Sequence, residues 1–302
     1  MANQLQRAIV LTIAYSNQFQ YPLTPSEVYT RLIWRGRLLP TLTAVAQELL
    51  SLLAAGQLEY HQGFVCLPGQ SEHVATRLKR TSFAQKQRQE IIPLISFLQH
   101  IPWIKGIVIT GSLALNAITK ADDSDFLLVV KPKRLWITRL LVTFFAWISG
   151  KRRSWQREED NSWCFNLWLD TTHLSLPAPQ RSIYGAFEVL QADWVWGCGV
   201  AEQAFYKQNS WVATYLPFFW QKKVAQVSAA PPQVRWELPL LSHFFDALDW
   251  LSYILQLWYM RPHRTRETVS RGEAFFHPRD TRSLVNRRWR EGILTAYGIS
   301  QS

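Results

Sequence analysis

The stretch from Gly106 to Val130, GIVITGSLALNAITKADDSDFLLVV, constrains this chain more than any other. Ile107, Val108 and Ile109 are β-branched and favour a strand. Thr110-Gly111-Ser112 follows, where Gly111 permits a sharp turn. Leu113 to Ile118 fit a short helix beginning at Ser112. Asp125 to Val130 then read as a second buried strand. Asp123 and Asp125 stand at its mouth, and side chains two apart on a strand share a face. Both carboxylates can therefore aim at one point.

Two anionic oxygens on one face suit a hard cation such as Mg²⁺, which water and substrate phosphates usually complete. A Gly-Ser turn offers free backbone N–H groups, which suit a phosphate. Gly111-Ser112, an intervening helix and loop, and Asp123-Ser124-Asp125 leading into an apolar strand together resemble the polymerase-β-like nucleotidyltransferase superfamily. The resemblance covers residues 106–130. It implies a small mixed sheet flanked by helices, and transfer of a nucleoside monophosphate from an NTP such as ATP to a hydroxyl, with release of pyrophosphate. It implies Asp123 and Asp125 as catalytic Mg²⁺ ligands, with Gly111 and Ser112 holding the nucleotide phosphates. It also implies a third carboxylate on a neighbouring strand. The candidate is Asp170, at the end of the alternating run Trp163-Cys164-Phe165-Asn166-Leu167-Trp168-Leu169-Asp170. Asn166 shares a face with Asp170 by parity and, by the same resemblance, is an alternative position for that acid, here occupied by an amide. Glu188, on a helix of about residues 182–191, is a further candidate.

The rest of the chain brackets this core. Residues 1–70 read as three helices and a hairpin, resembling a winged helix-turn-helix. Thr24-Pro25-Ser26-Glu27 starts the second helix with a capping box. The third helix, about residues 43–55, contains no Lys or Arg. DNA binding through it is therefore not favoured, because a recognition helix needs basic groups. A protein-contact or substrate-gating role fits better. A helical segment over about residues 72–100, with Pro93 inside it, carries Arg77, Lys79, Arg80, Lys86 and Arg88, read as a solvated face. Residues 135–149 form an apolar helix interrupted by Arg139, too short for a membrane span of about 20 residues. Residues 185–225 read as helical and rich in core aromatics.

Ala229-Ala230-Pro231-Pro232 reads as a linker. Beyond it, Leu238 to Met260 form a long helix with Phe244, Leu248, Leu251, Leu255 and Trp258 at helical spacing, to be packed on the core or on a second copy. The tail carries Arg264, Arg266 and Arg271, candidates for holding a triphosphate or an anionic acceptor, and His277, a turn residue before Pro278. The expected organisation is α+β: a winged-helix-like module (1–70), a nucleotidyltransferase core with its connecting helix (71–228) and a helical, basic C-terminal region (229–302).

The formal net charge of +11 favours an anionic partner or substrate. The 48% apolar residues and 15 Trp allow sizeable cores and argue against global disorder. Cys66, Cys164 and Cys198 form no CxxC pair, which argues against a disulfide framework and for a reducing cytoplasm. The first residues are too polar for a signal peptide. The expected partners are an NTP and a hydroxyl acceptor (small molecule, protein or RNA), with no membrane. The alternative is a catalytically degenerate regulator that binds nucleotide or nucleic acid.

Overall fold

The computed structural model describes residues 3–151, 162–197, 199–227, 239–263, 268–276 and 281–296. The chain begins with α1 (Gln4–Asn17), α2 (Pro25–Thr30) and α3 (Leu42–Ala54), followed by a hairpin of β1 (Glu59–His61) and β2 (Phe64–Cys66). The Thr24 hydroxyl accepts the Glu27 N–H while the Glu27 carboxylate accepts the Thr24 N–H, closing the expected capping box over Pro25. Next come α4 (Glu72–Glu90) and α5 (Ile92–Leu98), separated at Ile91 with Pro93 in the first turn of α5. The core elements are β3 (Ile104–Ile109), α6 (Gly111–Ala114), β4 (Ser124–Val130), α7 (Leu135–Ile148), β5 (Trp163–Asp170), α8 (Ile183–Gln191), β6 (Asp193–Gly197), α9 (Gly199–Gln208) and α10 (Pro217–Gln226). The chain continues through α11 (Pro239–Met260), β7 (Thr268–Val269), β8 (Glu273–Phe275) and α12 (Thr281–Ala296).

The molecule is α+β, with a six-stranded mixed sheet in the order β6-β3-β4-β5-β8-β7. Only β4 and β5 among these neighbours run parallel. Alternation along β4 divides the core. Phe126, Leu128 and Val130 pack against α4, α5 and α7, while Leu127 and Val129 pack against α8 and α9. The N-terminal helices have their own core, centred on Ile9, Ile13, Leu32 and Leu52. It joins the second layer where Tyr15 stacks on Phe187, with centroids 4.2 Å apart. The Trp289 indole of α12 donates to the Leu11 carbonyl at 3.1 Å, returning the C-terminal helix to α1.

Several expectations change. The stretch read as wholly helical contains β6, an edge strand paired antiparallel with β3. The helix after the Gly-Ser turn is only Gly111–Ala114. β7 and β8 extend the sheet beyond β5, so residues past 229 build the core rather than a separate region. The basic groups of α4 are not simply solvated. Arg77 holds Glu27 through two bonds of 2.8 Å and lies over the Tyr21 and Phe64 rings. Arg80 donates to the Phe19 carbonyl at 3.0 Å. This helix therefore latches the N-terminal module to the core. Among the described residues no helix is long and apolar enough to cross a membrane.

Candidate functional site

The Gly-Ser bend and the two acids meet at one end of the central strands. Ile109 on β3 pairs with Phe126 on β4, and the Thr110 N–H donates to the Asp125 carbonyl at 3.0 Å. The chain then turns through Gly111 at φ +62°. A Cβ there would stand 2.6 Å from Asp125 Oδ2, so glycine is required both by the backbone and by the carboxylate above it. The bend is braced from behind. Arg88 of α4 donates to the Leu113 carbonyl, to Asn116 Oδ1 and to Asp193. Its neighbour Gln87 donates to the Ser124 hydroxyl at 2.9 Å, between the two acids.

Each acid also reaches the start of β5. The Ser162 hydroxyl donates to Asp123 Oδ1 at 2.6 Å, and the Asn166 amide donates to Asp125 Oδ1 at 2.8 Å. Asn166 is buried, and its own Oδ1 has no hydrogen-bond partner. An orphaned carbonyl oxygen beside an aspartate is an unusual expense in a protein interior. Asp123 and Asp125 carry carboxylate oxygens, the type of donor that hard divalent cations prefer, and Asn166 adds an unpaired amide oxygen next to Asp125. The residues present therefore fit Mg²⁺, although among the described residues no three His, Cys, Asp or Glu side chains come together to hold a metal.

Glu188 enters this neighbourhood from α8. Burial, reinforced by the Asp125 carboxylate and opposed by a hydrogen bond to Tyr184, raises its pKa to about 7. The nearby Tyr15 phenol of α1 is also pushed up, by burial first and then by the Glu188 charge. Through Tyr15 the N-terminal module touches the periphery of the acidic site.

Asp170 does not join the site. In the β4–β5 register Asp125 lies opposite Cys164, whereas Asp170 lies opposite Val130 at the far end. At about 3.3 Å per residue the two acids are roughly 15 Å or more apart. The parity argument fails for a local reason. The register shifts between Asp125 and Leu127, where β5 carries an extra residue. Asn166 thereby faces Asp125, while Trp168 joins the opposite core and Leu167 and Leu169 pack with α8. Asp170 instead accepts the Thr172 N–H and hydroxyl and contacts His173, closing a turn. Arg271 adjoins that same far end, next to Gly272, whose carbonyl accepts the Asp170 N–H. Arg264, Arg266 and His277 lie outside the described residues.

Sequence reasoning missed Ser162, Gln87 and Arg88 as supports of the acids. Ser162 precedes the alternating run, and the other two belong to a helix whose charge pattern reads as surface. An open cavity of about 520 Å³ lies elsewhere, bounded by Trp34, Arg35, Leu39, Tyr215 and Pro217, and no motif residue lines it. Comparison of the chain with protein-family models, curated proteins and solved structures finds no match.

Proposed function

We propose that the chain is a Mg²⁺-dependent nucleotidyltransferase that moves a nucleoside monophosphate from an NTP to a hydroxyl acceptor and releases pyrophosphate. One observation supports this reading: Asp125 sits directly over the Gly111 bend, and Asp123 lies two residues before it, just outside the start of β4. Asp123, Asp125 and the orphaned Asn166 oxygen would hold the cation. Bound there, Mg²⁺ would neutralise phosphate charge and lower the pKa of the acceptor hydroxyl. Ser112 and the backbone N–H groups of the bend would receive phosphate oxygens. Ser162 and Asn166 orient the two acids by hydrogen bonds. Glu188, neutral below about pH 7, limits negative charge beside Asp125.

A second reading, nucleotide binding without turnover, is favoured by one feature. The neighbour of Asp125 on β5 is an amide, Asn166, and the acid of that strand lies at its other end. Incubation with each α-³²P-labelled NTP, Mg²⁺ and cell extract separates the two. The first reading expects label transfer that falls at least 100-fold in Asp125→Asn and persists in Asp170→Asn. Nucleotide binding with no transfer by the wild-type chain supports the second.

A further inference from the structure

Helices α7 and α11 pack together and use their polar groups on each other. Asp249 accepts the backbone N–H groups of Trp136 and Ile137 at 2.8 and 3.0 Å, capping α7 from α11. Asp246 pairs with Arg134 at 2.6 Å, and Gln256 donates to the Trp136 carbonyl while accepting from Arg139. What remains outward is apolar. Among the described residues of these two helices, His243 and Tyr259 are the exposed side chains with an ionisable group. Thirteen large apolar side chains stand 42–74% exposed, including Leu140, Phe144 and Trp147 on α7 and Phe244, Leu251 and Trp258 on α11.

The size of this face argues that it is covered. At about 200 Å² for a complete large side chain, the exposed fractions come to roughly 1,400 Å². The largest apolar patch on an ordinary monomer is about 300–600 Å², and a stable interface takes about 800 Å² from each partner. The face is therefore large enough for a dimer. Along α11 the exposed positions 244, 247, 251, 254 and 258 recur at alternating spacings of three and four residues. That stripe allows interdigitation with an identical helix.

Charge decides the occupant. A helix resting in an anionic lipid surface carries Lys and Arg along its polar side. Between Pro239 and Met260 there is none, and both charged residues are aspartates turned toward α7; on the α7 side Arg139 is held by Gln256 and the Phe276 ring, and Lys133 pairs with Asp246. A second copy brings no like charges together on this stripe and is self-complementary about a two-fold axis. We propose that the α7–α11 face is the interface of a homodimer.

Sedimentation velocity on the full chain at tens of micromolar tests this. The expected wild-type mass is twice 35.2 kDa. Leu251→Glu with Trp258→Glu, both at exposed positions, should sediment as a monomer with an unchanged circular-dichroism spectrum. Leu255→Lys serves as an independent variant if the double substitution misfolds. A monomeric wild-type chain overturns the proposal, as does a dimer that survives all well-folded variants. Flotation of the wild-type chain with phosphatidylserine vesicles, lost in the same variants, also overturns it and assigns the face to lipid.

Discussion

At Gly111 two demands coincide, a left-handed backbone and a carboxylate within 2.6 Å of where a Cβ would be. Gly111→Ala should cost about 1–3 kcal/mol through strain and displace Asp125. The measurements are a thermal melt and Mg²⁺-dependent nucleotide binding, and both should fall. Asp170 predicts the reverse division. Its carboxylate is nearly buried and accepts the Thr172 N–H and hydroxyl, so Asp170→Ala should destabilise the fold by about 1–3 kcal/mol. Nucleotide binding by the folded fraction should be unchanged. The approach of Asp125 to Gly111 was legible in the sequence, because the bend after β3 and the start of β4 lie at the same end of two paired strands. The separation of Asp125 from Asp170 was not, because it is set by the parallel pairing of β4 with β5, which puts Asp170 opposite Val130, five residues along from Asp125.

The elements tell a similar story. The apolar run of α7 and the helical spacing of α11 located those helices to within a few residues, since those signals lie inside each helix. β6, β7 and β8 are short and take their stability from partner strands, β3 for β6, β5 for β8 and β8 for β7, so their own residues scarcely announce them. α4 was legible as a helix but not as a latch, because Glu27 lies 50 residues away. Burial alone would raise the Glu27 pKa, but hydrogen bonds from Arg77 and the Thr24 N–H, with the charges of Arg31 and Arg77, bring it below 4.5. The folded value lies below the unfolded one. The resulting stabilisation is present above about pH 4.5 and disappears as pH falls through the folded pKa. Denaturant melts of the wild type should therefore lose stability on acidification through that range. Arg77→Ala should be less stable at neutral pH, by about 1–3 kcal/mol, and should show a shallower acid dependence.

For the molecule as a whole, the sheet is the frame on which the Gly111 bend, the acids and the N-terminal module are assembled. The basic balance of the chain was readable from composition, and it agrees with an anionic substrate. The outward face of α11 was not readable, because Phe244, Leu251, Leu255 and Trp258 show the same spacing whether they enter a core or face outward. The central claim is that Asp123, Asp125 and the Gly111-Ser112 bend form one metal–nucleotide site. Electron paramagnetic resonance of Mn²⁺, titrated with protein in the presence and absence of mixed NTPs, tests it most directly. The account predicts protein-bound Mn²⁺ that increases with NTP and is lost in Asp123→Asn/Asp125→Asn. Equal Mn²⁺ and nucleotide binding by the wild type and that variant, or no binding by either, would contradict it.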